Sequence, residues 1–215
     1  MTHLVLISLH ADPATPSGVG GGGGTHAYVR ELIVGLGRSG SRVTVLTRWA
    51  HPELPEEECL GANVRIIRLR IGPLAPLDKR SLNELHTTSL SAASRALRIS
   101  QVDLLHSIYW NSGLVALDLS CTLKCPFVHT VISNGWRRLH EGARDQPPDR
   151  IHVEKRVFKA AFAIFCVSGE EQMDLIRRYD VEARKTIIVG RPVSSVFRHP
   201  CHDELGRPLV PHYGL

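Results

Sequence analysis

Five consecutive glycines, Gly20 to Gly24, stand in front of Thr25, His26 and a stretch with helical spacing. A bare backbone that opens a helix presents unpaired N–H groups and the positive end of the helix dipole, and phosphate is its natural guest. Glycine costs roughly 0.5–1 kcal/mol against alanine inside regular elements, so such a run calls for something that approaches the main chain closely. A flexible surface loop is the other reading. A P-loop needs Gly-Lys-Ser/Thr, whereas these glycines run into Thr25-His26, so that motif fails. Residues 18–23 satisfy G-x-G-x-x-G, as any glycine run does. However, about eight residues separate them from the first apolar run, and the second strand ends in Thr47-Arg48 instead of an acid. An NADP oxidoreductase, with Arg48 on a 2′-phosphate, is a poor alternative. Cys121, Cys125 and His129 have ligand-type side chains, but the apolar stretch after Pro126 reads as a strand entering a core. Buried thiols rather than a metal site are expected there.

These residues need elements to position them. Residues 4–9 form a continuous apolar run, the pattern of a strand buried on both faces. Residues 27–38 have helical spacing, with Thr25 as expected N-cap and Gly40 just past the end. A second strand spans 41–48, followed by a Pro/Glu-rich surface loop at 51–58. Residues 63–70 alternate as an exposed or edge strand would. A helix is expected over 82–97, a strand over 102–107, a short helix over 112–120 and a strand over 126–132. Residues 133–148 read as a long polar, basic loop, and such loops are often functional. A helix over 150–160, a strand over 161–168, a helix over 169–179 and a strand over 185–190 complete the pattern. Strands and helices alternating at this spacing predict an α/β fold with a doubly wound, mostly parallel sheet. Its ligands belong outside the carboxyl ends of the strands. The predicted organisation is one Rossmann-like domain over 1–197 and a linker or tail over 198–215.

The 215 residues are 43% hydrophobic and 22% charged, enough for a core and unlike a disordered chain. No run approaches the roughly 18 apolar residues of a membrane span, and the N-terminus lacks a signal-peptide pattern, so a cytoplasmic location is expected. Five cysteines at irregular spacing argue against a disulfide framework. The net charge of +5 comes from dispersed arginines. Without a basic stripe interleaved with aromatics, nucleic acid is not an expected partner. Anionic small molecules or lipid headgroups at a membrane periphery suit such a surface.

Taken in order, "GGTHAYVREL…GSRVTVLTR", "VDLLHSIYWNSGLVAL", "CPFVHTV", "RIHVEKRVFKAAFAIFCVSGEEQMDL" and "KTIIVGRPVSSVFRHP" resemble the N-terminal domain of retaining GT-B glycosyltransferases of family 4. This group includes sucrose-phosphate synthases and the mycothiol-type enzymes. The resemblance runs from Leu4 to about Pro200. It implies a domain that mainly holds the acceptor, facing a second Rossmann-like domain that binds a nucleotide sugar such as a UDP- or GDP-hexose. It implies no metal and no further cofactor. The residues by which that second domain grips the donor do not occur in this sequence. The donor-binding half that the resemblance implies either belongs to a longer protein of which this chain is a fragment or is a separate domain or polypeptide partner.

By the same resemblance, Gly23 and Gly24 approach the donor diphosphate and His26 lies near the acceptor. Lys79, Tyr109, Ser133 and Arg150 fall where mycothiol-type members hold a phosphorylated cyclitol. Two cations and two hydroxyls suit a phosphate dianion. Relatives commonly read His-Thr-x-His at the strand end 129–132, where this chain has Ile132. His129 is left as a catalytic candidate or a satisfied core histidine. Asn134, Arg137 and Arg138 offer polar groups at the same rim, and Trp136 offers a ring on which a sugar could stack. Set against a glycosyltransferase half are a non-catalytic sugar- or phosphate-binding or protein-interaction module, and an inactive remnant. Ile132 favours the binding module.

Overall fold

The computed structural model describes residues 1–15, 23–98, 101–143 and 147–191, the side chain of Lys79 excepted. The chain opens with β1 (His3–Ile7), α1 (Gly24–Arg38), β2 (Arg42–Arg48), β3 (Glu57–Cys59) and β4 (Val64–Leu69). Next come α2 (Lys79–Glu84), α3 (His86–Leu97), β5 (Leu104–Ile108), α4 (Trp110–Leu123) and β6 (Phe127–Thr130). It continues through α5 (Gly135–His140), α6 (Arg150–Ala160), β7 (Ala163–Cys166), α7 (Gly169–Tyr179) and β8 (Thr186–Ile188). The eight strands form one sheet in the order β3-β4-β2-β1-β5-β6-β7-β8, parallel except for β3 against β4.

Alternation along β1 decides which layer each side chain enters. Leu4 and Leu6 face α1, where Tyr28, Val29 and Ile33 close a cluster with Val43, Val45 and Ile66. Val5 and Ile7 join the larger cluster on the other face, with residues of α3, α4, α6 and α7. Burying a side chain such as Ile33 stabilises the fold by roughly 1.5–3 kcal/mol. Within that second layer α4 lies close to the sheet. A Cβ on Gly113 would stand 2.8 Å from Val157 and 3.0 Å from the His129 ring, so only glycine allows α4 to sit there.

The chain builds outward from β1 through β2 to β4, then returns to add β5 on the other side of β1. The switch point of this doubly wound sheet therefore lies between β1 and β5, and sheets of this kind bind ligands beyond the carboxyl ends at such a point.

Several expectations need correction. The N-cap of α1 is Gly23, not Thr25. β4 is not an edge strand, because β3, which begins in the expected loop at 51–58 and runs one residue past it, pairs with β4 through Glu57–Cys59. The helix expected at 82–97 is two helices that break at Leu85, and α4 extends further than the expected short helix. The expected loop at 133–148 contains α5. Cys121 is exposed, while Cys125 is buried. The proposed boundary at 197–198 lies outside the described residues. Among the described residues no helix is long and apolar enough to cross a membrane.

Candidate functional site

One side of the switch point is formed by α1 and the loops after β1, β2 and β4. On this side Gly23 caps α1 and donates its N–H to Nδ1 of His26 at 3.1 Å. An acceptor Nδ1 places the neutral ring's proton on Nε2. Burial lowers the His26 pKa, against the pull of the Asp12 carboxylate and with the help of His51. The N–H groups of Gly24 and Thr25 find no acceptor among the described residues. A Cβ on Gly23 or Gly24 would meet nothing within 4 Å among the described residues, so packing against these does not require the two glycines. The rest of the glycine run, Gly20 to Gly22, lies outside the described residues.

Beside this helix end is a cleft of about 190 Å³ lined by His10, Asp12, Thr15, His26, Arg48 and His51, with leucines closing its apolar side. Asp12 binds the Nε of buried Arg68 at 2.6 Å and accepts from the Ala14 N–H at 2.9 Å. The Thr15 hydroxyl is buried and has no partner among the described residues. Arg48 is only 4% exposed; its Nη1 donates to the Pro73 carbonyl at 2.8 Å and its Nη2 to that of Ala75 at 2.5 Å. Instead of reaching for a ribose phosphate, it ties down the loop that leads into Lys79, the first residue of α2. Burial depresses its pKa.

The other side is formed by β5 and β6, and both strands end in strained backbone. Tyr109 has φ 71° and ψ 156°, a region almost reserved for glycine, and Ile132 has φ 65°. Each costs of order 1–3 kcal/mol, and such outliers gather at functional sites. The turn at Tyr109 sets its ring against His10, with centroids 4.6 Å apart across the switch point. The Arg150 guanidinium carbon sits 5.0 Å from the centre of the same ring. Arg150 Nη2 donates to the Ser133 carbonyl at 2.7 Å and reaches the Ser133 hydroxyl at 3.4 Å. Its Nε donates to Glu154 at 2.7 Å. The structure thus brings Tyr109, Ser133 and Arg150 together. Arg150 and Tyr109 are 1% and 2% exposed, while Ser133 is half-buried.

The remaining expected site residues are engaged elsewhere. His129 is core, not cleft: 1% exposed, its Nδ1 is 2.8 Å from the Ser107 hydroxyl, and burial takes its pKa down to about 3. Asn134 accepts the Arg137 N–H at 2.8 Å as the cap of α5, and its amide donates to Asp174 at 3.3 Å. Arg137 is bound by Asp174 at 2.7 Å and Glu170 at 3.0 Å, which hold its pKa above the usual range. Both residues join α5 to α7. Arg138 lies 3.9 Å from Glu141, and the Trp136 ring stacks on His140 at 3.8 Å and on the Arg178 guanidinium at 4.3 Å. Sequence reasoning missed Glu154 and Tyr179. The i, i+4 spacing of Arg150 and Glu154 on one helix was the available signal.

Fold and switch point together define a Rossmann-like α/β domain of the GT-B kind. The chain belongs to the glycosyl transferase 4-like family, whose model matches residues 23–192. It is 31% identical over 83% of its length to a D-inositol 3-phosphate glycosyltransferase of Paenarthrobacter aurescens, covering 45% of that protein. A protein of the same name from Kribbella flavida is 31% identical over 98% of the chain and is covered to 51%. Sucrose-phosphate synthase from Thermosynechococcus elongatus superposes with a TM-score of 0.82 at 27% identity, over 94% of this chain and 53% of that one. The chain spans about half the length of the curated relatives it matches.

Proposed function

We propose that this chain is the acceptor-side half of a retaining, sugar-nucleotide-dependent glycosyltransferase. It transfers a hexosyl unit to a phosphorylated cyclitol or sugar when joined to a donor-binding half. The observation that carries this reading is the convergence of Tyr109, Ser133 and Arg150 beyond β5 and β6, where a guanidinium and two hydroxyls suit a phosphate monoester. Lys79, at the loop clamped by Arg48, is the proposed fourth member. Relatives named D-inositol 3-phosphate glycosyltransferases support a phosphorylated cyclitol as acceptor. The first turn of α1, with the Gly24 and Thr25 N–H groups turned toward no other partner among the described residues, suits the charge that grows on a departing diphosphate. His26 stands beside the acceptor as a neutral donor. No residue of this half is required to act as a nucleophile.

Calorimetry of the 215-residue chain with D-inositol 3-phosphate and with unphosphorylated inositol tests this reading. Tighter binding of the phosphate ester, lost in Ser133→Ala and Arg150→Met, is the expected result; equal binding of both ligands overturns it. Nucleotide sugars should bind this half weakly, since only the α1 end greets them. A binding-only module is the second reading. It is favoured by Ile132, an apolar residue in strained backbone at the rim. Transfer assays with a supplied donor-binding half separate the two.

A further inference from the structure

Arg150 is far more constrained than a surface cation that meets a passing phosphate. Three groups surround the Glu154 carboxylate, and all three donate to it. The Arg150 Nε lies 2.7 Å from Oε1, and the Tyr179 hydroxyl 2.5 Å from Oε2. The Gly135 N–H lies 3.1 Å from Oε1 and 2.8 Å from Oε2. Glu154 is fully buried. The Tyr179 hydroxyl in turn accepts the Trp136 N–H at 2.9 Å. One carboxylate and one phenol thus bind the first two amides of α5 and the Nε of Arg150. The helix cannot shift without moving the arginine.

Glu154 takes Arg150 by its Nε, and the Nη2 of the same guanidinium reaches the Ser133 carbonyl in the loop after β6. Gly135 leaves no slack: a Cβ there would lie 3.0 Å from the Glu154 carboxylate and 3.1 Å from the Arg150 side chain. Burial and the adjoining carboxylate both keep Tyr179 protonated, so it remains a donor.

We infer that Glu154, supported by Tyr179, is the positioning residue that aims Arg150 and Ser133 at a phosphate monoester. The inference rests on the functional reading above. It has a sharp rival, in which Glu154 is merely a counter-charge for a buried arginine. The two predict opposite signs. Removing a counter-charge leaves a more positive site and strengthens anion binding, whereas removing an aiming group weakens it.

The test uses the 215-residue chain and two probes, D-inositol 3-phosphate and unphosphorylated inositol, and reads the ratio of their affinities. General loosening of the fold lowers both affinities and leaves the ratio alone. In Glu154→Gln the size is kept, but the amide brings its own N–H groups into a place where every neighbour donates. The ratio is expected to fall about tenfold, the scale of one hydrogen bond to a charged group. Tyr179→Phe removes one of the donors and is expected to lower it about threefold, in the range of an ordinary hydrogen bond. If Glu154→Gln does not fold, as judged by circular dichroism, Tyr179→Phe carries the test. An unchanged or increased ratio in the folded variants overturns the positioning role while the functional reading stands. A wild-type chain with no preference for the phosphate ester overturns both.

Discussion

Arg68 and Arg150 are both buried guanidiniums gripped by carboxylates, on opposite sides of the switch point. Arg68, on β4, is ringed by acceptors that belong to the scaffold. Its Nε binds Asp12 at 2.6 Å, Nη1 the Pro55 carbonyl at 2.6 Å and Nη2 Glu58 at 2.7 Å. These contacts sew the loop after β1 and the β3 segment to the sheet. Arg150, on α6, binds Glu154 through Nε, and its Nη2 reaches Ser133 in the loop after β6. The difference lies in the partners. Arg68 binds two carboxylates and a carbonyl of the scaffold, whereas the bonds of Arg150 include one to the loop where the proposed function puts the acceptor.

That contrast can be broken by substitution. The largest effect is expected from Arg68→Ala, which strands a buried Asp12. It should cost about 3–5 kcal/mol in urea denaturation, while the preference of the still-folded fraction for D-inositol 3-phosphate over inositol stays at the wild-type value. A loss of that preference would show that the two arginines act as one site.

Acid should then weaken the β5–β6 side selectively. Burial depresses His106 to about 4 and His129 to about 3, from an ordinary 6.5. Both rings stay neutral in the folded chain and take up a proton on unfolding. The stability they contribute is complete above pH 6.5 and is lost as the pH drops from 6.5 to about 4 for His106 and about 3 for His129, below which the loss levels off. The expected slope is about 1.4 kcal/mol per pH unit for each group. Denaturation curves from pH 7 to 4 measure it, and His129→Gln should remove about one proton from the slope.

Next in size is Arg150→Lys, which keeps the charge but loses the fork. Binding of the phosphate ester should weaken by about 1.5–3 kcal/mol in calorimetry. Undiminished affinity would reduce Arg150 to a general positive charge.

Two glycines give the smallest and cleanest contrast. Gly113→Ala forces a methyl group into Val157 and His129 and should destabilise by about 1–3 kcal/mol. Gly24→Ala meets nothing within 4 Å among the described residues, so thermal unfolding should move little, while on the proposed function affinity for a nucleoside diphosphate falls once a donor-binding half is supplied. Gly24→Val should weaken that affinity more than Lys79→Ala, because it blocks approach instead of removing one charge.

Most of the scaffold is legible in the sequence because parallel strands buried on both faces leave unmistakable apolar runs, such as Leu4 to Ile7. What escapes is held by partners distant in the chain. β3 is the sequence Glu57-Glu58-Cys59, with no apolar signal; pairing with β4 and the grip of Arg68 on Glu58 make it a strand. α5 has only six residues and depends on the Asn134 cap, Glu154 and Tyr179. The same holds at the site. Tyr109, Ser133 and Arg150 are recognisable by resemblance and do converge. Glu154 is hidden in "RIHVEK", where it reads as one more solvated charge. His129 looks like chemistry, but a strand buried on both faces takes it into the core.

The four-way knot of Gly135, Arg150, Glu154 and Tyr179 also limits how this molecule can change over generations. Losing the acid strands a cation, losing the cation strands an acid, and enlarging the glycine pushes both aside. A lineage that changed one member alone would pass through a poorly folded intermediate, so several codons would have to change together. The quartet should therefore be inherited or discarded as a block.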